Sequence, residues 1–307
     1  MRILAACLIL AAPLAIAQPG TRIGAARAAI DYLARETPRW QPENHCFSCH
    51  NNGDGARALT LAQSRGYPVP PDALRQTIEW LRKPEGWEAN HGNPPFNDHT
   101  LARIQFSAAL TELVRDGLQP ARGNLLAAAE SLAPLQGGDG AWTIDTGGVT
   151  GAPATYGSVL ATYMARRTLE AAGESRFGGA VARANQWLRS VSPQSVLDRA
   201  AVLLALPDTA PTHLGPLLAA ENRDGGWGPQ PKMPSEVFDT ALAVLALDGV
   251  KSREAVERGR AYLERSQLND GSWPETTRPT GASSYAERIS TAGWALYALL
   301  ATDAERH

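Results

Sequence analysis

Hydrophobic positions recur along most of the chain with helical spacing, in two alternating kinds of segment. In the first kind, apolar residues recur every three or four positions opposite a charged face, which predicts helices with one buried and one exposed side. These amphipathic segments are 72–82, 122–135, 177–191 and 252–267. Segments of the second kind are apolar nearly all round, which predicts helices buried on all sides. They are 200–206, 237–247 and 289–300.

Alternation of these two kinds predicts an all-α fold in which amphipathic helices surround a layer of buried ones. Pairing each amphipathic helix with the buried helix that follows gives six helical hairpins, enough to close an α/α toroid. The predicted pairs are 22–36 with 55–66, 71–82 with 98–115, 120–135 with 153–172, 178–191 with 195–206, 210–221 with 235–248, and 252–267 with 284–302.

Connections from amphipathic to buried helices are long and rich in Gly and Pro, whereas the return connections are short. In a toroid all the long loops emerge at the same rim, where a rigid scaffold would hold functional residues. The long loops are 37–54, 83–97, 136–152, 222–234 and 268–283. Only the fourth pair departs from this pattern, because its link at Ser192-Pro193 is short.

Three of the helix ends share a repeated signature: QGGDGAW at 136–142, ENRDGGW at 221–227 and QLNDGSW at 267–273. Repeats of this kind indicate stacked units that bury their faces against one another. Gly permits the turn, Asp binds freed backbone groups and Trp fills the gap between hairpins. We therefore predict structural roles for these residues.

These repeats resemble those of the squalene–hopene cyclase and protein prenyltransferase superfamily. The segments Phe238–Leu242 and Ile289–Leu296 are similar to the starts of inner helices in those cyclases, and the likeness covers most of residues 70–302. The resemblance implies the α/α toroid fold. The chain lacks the Asp-x-Asp-Asp motif of the cyclases and has no Cys for a prenyltransferase zinc site. The N-terminal part resembles exported bacterial proteins that join a Cys-x-x-Cys-His segment to such repeats.

Residues 1–17 have the pattern of a cleaved export signal. Arg2 precedes the apolar run 3–14, and Ala15-Ile16-Ala17 forms a cleavage site before Gln18. The rival interpretation is a lipobox ending at Cys7. The apolar run is too short for a permanent transmembrane anchor. We expect a periplasmic or secreted bacterial protein with one domain at 18–307.

Charge excludes one class of partner. The net charge of the chain is -2, with no long basic run, so nucleic-acid binding has no electrostatic support. Composition is 44% hydrophobic, which is ample for a large buried core.

Cys46-Phe47-Ser48-Cys49-His50, in the first long loop, is the pattern that attaches a c-type haem. Each Cys sulfur forms a thioether and His50 supplies the proximal nitrogen to iron. Signal cleavage leaves Cys46 and Cys49 as the two cysteines of the mature chain. Two alternatives stay open. One is a disulfide or redox pair. The other is a zinc site that also uses His45, although these four ligands lie too close in sequence to form a tetrahedron around zinc readily.

The iron also needs a sixth ligand or an open position. His91 in the second long loop and Met233 in the loop 222–234 are the candidates for the distal ligand. Polar residues at the starts of the buried helices are predicted to face a central cavity near the same rim. They are Asp98, His99, Tyr156, Asp239, Tyr285, Glu287 and Arg288. The alternative for such residues is helix capping.

Two functions follow from these patterns. The first is electron transfer, or another haem-dependent redox role, by one covalent haem c, with a periplasmic redox partner. The second is a terpenoid cyclase-like enzyme or binder of an apolar small molecule, in which Cys46 and Cys49 form only a disulfide.

Overall fold

The computed structural model describes residues 22–90, 98–115, 122–278 and 281–303, and this part of the chain is all-α. The α-helices are α1 (Arg22–Glu36), α2 (Trp40–Asn44), α3 (Asn51–Ser64), α4 (Pro71–Leu81), α5 (His99–Arg115), α6 (Arg122–Leu132), α7 (Ser158–Ala172), α8 (Gly178–Ser190), α9 (Val196–Ala205), α10 (Ala210–Ala219), α11 (Val237–Gly249), α12 (Arg253–Ser266) and α13 (Tyr285–Ala301). The predicted signal segment 1–17 lies outside the described residues.

Two sets of helices differ in burial as the hydrophobic pattern predicts. The buried helices are α3, α5, α7, α9, α11 and α13, in which most side chains are inaccessible. The amphipathic helices are α1, α4, α6, α8, α10 and α12, which bury one stripe each. The buried helices contact one another in chain order, and α13 contacts α3, so the series of contacts closes on itself.

The predicted helix boundaries differ from the observed ones mainly in the first and third pairs. A short helix, α2, occupies part of the predicted loop 37–54, and it ends where His45 adopts the left-handed conformation with φ of 56°. Helix α3 begins at Asn51, four residues before the predicted start. Helix α7 begins at Ser158, five residues after the predicted start, because Tyr156 and Gly157 have positive φ values and interrupt the helix.

The three repeated loops make the contacts that their sequences predict. Trp142, Trp227 and Trp273 are fully buried, and each indole nitrogen donates to the carbonyl of a residue ten positions earlier. The Asp of each repeat accepts a hydrogen bond from a backbone N–H two residues on, which satisfies a group freed by the turn.

Each repeated loop also packs against the next amphipathic helix. The glycine of the last repeat, Gly271, lies so close to α1 that a Cβ atom there would be 2.1 Å from the carbonyl oxygen of Ala28. Gln267 of the same loop donates to the carbonyl of Ala25 at 2.9 Å. The last repeat therefore joins the C-terminal part of the chain to the first helix.

We expect Gly271→Ala to destabilise the protein more than Gly66→Ala. Both glycines have positive φ, 89° and 79°, so each substitution carries a left-handed backbone penalty of about 1–2 kcal/mol. Only Gly271 also meets neighbouring backbone, because no atom lies within 4 Å of a Cβ at Gly66. Urea unfolding of the two variants measures the difference. Equal losses of unfolding free energy would show that the contact with Ala28 is unimportant.

Candidate functional site

The Cys-x-x-Cys-His segment, Cys46 to His50, connects α2 to α3 and is held by hydrogen bonds to its backbone. The Phe47 N–H donates to Asn90 Oδ1 at 3.0 Å, and Asn90 Nδ2 donates to the Phe47 carbonyl at 2.6 Å. One side chain thus satisfies both backbone groups of the central residue. This pairing fixes the segment against the residues that follow α4.

The other side of the segment is held by the first turn of α3. Asn52 is buried; its Oδ1 accepts from the Ser48 N–H at 2.9 Å, and its Nδ2 donates to the Thr37 carbonyl at 2.9 Å. A buried amide whose donor and acceptor atoms both form hydrogen bonds can order a loop at a low cost in free energy, because few buried polar groups are left unsatisfied. The segment is therefore anchored on both sides.

Cys46 and Cys49 are free thiols and both are half-buried. Burial raises the pKa of Cys49 to about 12, so this side chain stays a neutral thiol at physiological pH. Thiol exchange requires the thiolate. The environment of Cys49 therefore disfavours this residue as the attacking thiol in exchange.

His50 is positioned by a contact from the opposite end of the chain. Its Nδ1 atom lies 2.8 Å from the hydroxyl oxygen of Ser290 on α13. Burial lowers the pKa of His50 to about 4, so the imidazole is neutral at physiological pH. When Nδ1–H donates to Ser290, Nε2 carries the lone pair, which is the arrangement of a metal-binding histidine.

Aromatic rings line one side of the Cys-x-x-Cys-His segment. The Phe47 ring stacks on Trp80 with centroids 5.0 Å apart and planes inclined by 11°. Trp80 in turn meets the edge of Phe106 at 5.8 Å. Stacked aromatic rings bury a large apolar area. They give the segment an apolar side suited to a flat hydrophobic group.

A buried ion pair lies one turn beyond His50 in α3. Arg57 donates to Asp54 at 3.2 Å, and each side chain is 3% exposed. Burial raises the pKa of Asp54 to about 7, although the Arg57 charge acts in the opposite direction. The Arg57 guanidinium also lies over the Trp294 ring, 4.3 Å from its centroid, in a cation–π contact.

Glu287 and Tyr156 complete this buried polar cluster. Burial raises the pKa of Glu287 to about 8, and the nearby Asp54 charge adds to the effect. The Tyr156 ring meets Trp294 edge-on at 6.0 Å. The Tyr156 hydroxyl is buried with no hydrogen-bond partner among the described residues. The cluster is thus a pair of carboxyl groups in mostly aromatic surroundings.

Of the seven predicted cavity residues, three are buried, Asp98 and Arg288 are half-buried, and His99 and Tyr285 are exposed. Tyr156, Asp239 and Glu287 are buried. Asp239 pairs with Arg278, whose Nη1 donates to it at 3.0 Å and to Glu236 at 2.7 Å. Burial raises the pKa of Asp239 to about 7, while Arg278 acts in the opposite direction.

The remaining four residues serve the local structure. Asp98 Oδ1 accepts from the Leu101 N–H at 2.8 Å, which is the capping role given as the alternative. His99 pairs with Glu88 at 3.1 Å, and Arg288 donates to Glu275 at 2.9 Å.

Tyr285 is partly exposed, and its hydroxyl donates to Glu36 Oε2 at 2.8 Å. The structure does not bring it, or the other three, into the buried cluster.

Of the two candidates for a distal ligand, only Met233 belongs to the described part of the chain. His91 lies outside the described residues. Met233 is 49% exposed in the loop before α11, and its carbonyl accepts from Asn222 Nδ2. Among the described residues no three His, Cys, Asp or Glu side chains form a group that could hold a metal ion.

Sequence analysis missed Ser290, Asn90 and the pair Asp54–Arg57. A sequence signal exists for the pair alone, because an acid and a base three positions apart share a helix face. Ser290 and Asn90 act through contacts with residues 240 and 43 positions away. Short-range patterns carry no information on such contacts.

No protein-family profile matches this sequence, and no curated protein is significantly similar to it. Within the described part of the chain, no helix is both long and apolar enough to cross a membrane.

We expect the unfolding free energy to fall as the pH rises from about 6.5 to 8. Glu287 has a folded-state pKa of about 8, above its ordinary value, so folding retains a proton that the unfolded chain releases. That stabilisation is complete below the unfolded pKa and is lost as the pH rises through the folded pKa. Asp54 and Asp239 act in the same direction. His50 has the opposite sign, but its contribution changes only below about pH 6.5.

The measurement is urea unfolding at several pH values for the native protein, Glu287→Gln and the exposed control Glu79→Gln. One retained proton corresponds to a slope of at most about 1.4 kcal/mol per pH unit. The Glu287 variant should have a smaller slope than the native protein, and the Glu79 variant the same slope. An unchanged slope in Glu287→Gln would contradict the assignment.

Proposed function

We propose that this chain is an exported c-type haem protein that transfers electrons. In this proposal Cys46 and Cys49 bind one haem c through thioethers, and His50 supplies the proximal nitrogen. When bound, the haem supplies a reversible one-electron change at iron. The observation that carries the proposal is the contact of His50 Nδ1 with Ser290 at 2.8 Å, which leaves Nε2 as the nitrogen for a metal.

The donor set of the segment fits a haem. Two free thiols and a neutral imidazole lie within five consecutive residues whose backbone is anchored by Asn52 and Asn90. Phe47 and Trp80 provide an apolar side next to them. The high pKa of Cys49 disfavours this residue as the attacking thiolate in exchange, which supports a covalently capped sulfur.

We propose further that the closed series of contacts among the buried helices is an α/α toroid of six hairpins, similar to that of the cyclase and prenyltransferase superfamily. The docking of the last repeated loop on α1 supports this arrangement, because it closes the amphipathic layer as well. In this scaffold Cys46 to His50 lie at the end of the buried helices where the long loops emerge.

His91 and Met233 are both candidates for the distal ligand in this proposal. His91 directly follows Asn90 in the sequence, and Asn90 makes two hydrogen bonds to Phe47 inside the Cys-x-x-Cys-His segment. Met233 lies in the loop before α11, where its carbonyl accepts from Asn222 Nδ2.

The half-buried position of both cysteines supports electron transfer to a partner protein in the periplasm. A terpenoid cyclase-like function has less support, because Arg57, Tyr156 and Phe238 all pack against Trp294 in the interior. The proposed signal at 1–17 supplies the route to a compartment where disulfides and covalent haem both occur.

We expect the protein exported together with a haem-maturation system to show a Soret band that survives acid–acetone extraction. Cys46→Ser with Cys49→Ser should abolish covalent attachment. His50→Ala should disturb the spectrum of the reduced protein, while the matched control His45→Ala should leave it unchanged, because His45 is exposed at the end of α2. A colourless native protein would overturn the proposal. His91→Ala and Met233→Ala then identify the distal ligand.

Replacing Ser290 should raise the reduction potential of the haem. The hydrogen bond from His50 Nδ1 makes the imidazole a stronger donor, which stabilises the oxidised iron. Ser290→Ala removes this acceptor, whereas Ser290→Thr keeps a hydroxyl. A redox titration should show a higher potential for the Ala variant and a value near the native one for the Thr variant. Identical potentials in all three proteins would exclude a positioning role for Ser290.

A further inference from the structure

A cavity of about 670 Å³ opens at the far end of the buried helices from the Cys-x-x-Cys-His segment. Residues from the C-terminal halves of all six buried helices line it, which means that these helices run in parallel. Arg65, at the end of α3, follows His50 by 15 residues, or about 22 Å along a helix. The Arg65 end of the cavity therefore lies away from the proposed haem site, while Arg57, seven residues after His50, lines the part nearest to it.

Among the described residues, the charged side chains that line this cavity are all arginines. They are Arg57, Arg65, Arg115 and Arg167, contributed by α3, α5 and α7. Arginine presents a planar fork of N–H donors that matches the two oxygens of a carboxylate or the oxygens of a phosphate. Arg57 is paired with Asp54, and Arg115 and Arg167 share Glu112, so four guanidinium groups face two carboxyl groups. The remaining excess of positive charge favours an anion.

Arg115 and Arg167 share a single carboxylate. Glu112 is fully buried and pairs with Arg115 at 2.7 Å and with Arg167 at a shorter distance. Burial alone would raise the pKa of Glu112, but the two arginine charges lower it, so the carboxylate is ionised. Two guanidinium groups on one carboxylate leave this part of the wall with a net positive charge.

Apart from Ser64, the rest of the described wall is apolar or aromatic. It includes Leu61, Tyr163, Met164, Leu204, Leu245 and Tyr297. The Tyr297 hydroxyl accepts from Arg115 at 3.2 Å, so an aromatic ring orients one of the arginines. A cavity of this size with a few directed polar groups and apolar walls has the composition of a small-molecule site.

We infer that this cavity binds an amphipathic organic anion, with its carboxylate or phosphate group on the arginines and its hydrocarbon part against the leucines and tyrosines. This proposal goes beyond the electron-transfer function and does not depend on it. The six helix C-termini at this end carry partial negative charge. If the arginines only neutralise those helix ends, the cavity will not prefer anions.

The test is isothermal titration calorimetry on the exported, full-length mature protein with probes of matched length. Decanoate, decyl phosphate, 1-decanol and decyltrimethylammonium compare charge at a constant hydrocarbon chain. Acetate and inorganic phosphate lack the apolar part. We expect decanoate or decyl phosphate to bind at least tenfold more tightly than the neutral, cationic and short probes, and the stronger of the two identifies the anionic group.

Variants locate the site. Arg65→Gln and Arg115→Gln should each weaken binding of the preferred anion by about tenfold, the loss of one charge-assisted hydrogen bond. Arg75→Gln is the matched control, because Arg75 is 61% exposed on α4 and does not line the cavity. Leu204→Phe narrows the cavity without changing its charge and should also reduce binding.

Two results would overturn the inference. One is equal binding of the anionic, neutral and cationic probes, which would indicate a purely apolar cavity or general adsorption. The other is anion binding that Arg65→Gln, Arg115→Gln and Leu204→Phe leave unchanged, which would place the anion elsewhere. Circular dichroism of each variant establishes that it is folded. If Arg115→Gln does not fold, Arg65→Gln and Leu204→Phe still decide the outcome.

Discussion

Close packing of α3 against α13 is the constraint on which the rest of the structure depends. At the crossing point a Cβ on Gly293 would lie 2.8 Å from the carbonyl group of Asp54, so only glycine allows this approach. The same contact places Ser290 against His50 across 240 residues of chain. The geometry at His50 and the closed series of helix contacts therefore depend on the same packing. If α13 did not pack against α3, neither would form.

Buried charge is distributed along the parallel helices according to their dipoles. Asp54, Asp239 and Glu287 lie in the first turns of α3, α11 and α13, where the helix dipoles act against the burial that raises their pKa values. Arg115 lies in the last turn of α5 and Arg65 caps the C-terminus of α3, where the dipoles favour positive charge. Their arrangement gives the interior an acidic end next to the Cys-x-x-Cys-His segment and a basic end at the cavity. One scaffold thus carries two sites of different chemistry.

Sequence periodicity predicted the helices and the repeated loops well, because these depend on local spacing and on residues such as Gly271 and Trp273. It predicted the first turn of α3 poorly. The run Asn51–Asp54 is polar and contains Gly, and its burial becomes favourable only through tertiary hydrogen bonds such as that from Asn52 to Thr37. It gave no indication of the arginine-lined cavity at the other end of the buried helices. Side-chain direction in a helix bundle depends on rotation of each helix, which composition does not determine.

Arg57 is the residue that connects the two ends of the interior. It lines the cavity, pairs with Asp54 and lies over Trp294, while Asp54 is one helical turn from His50. A buried charge that loses its partner is costly, so Arg57 and Asp54 are stable only as a pair. With α3 in this position against α13, Ser290 on α13 lies within hydrogen-bond distance of His50. The packing of α3 on α13 that places Arg57 over Trp294 also places Ser290 at 2.8 Å from His50 Nδ1, so the ion pair and the imidazole are positioned by the same two helices.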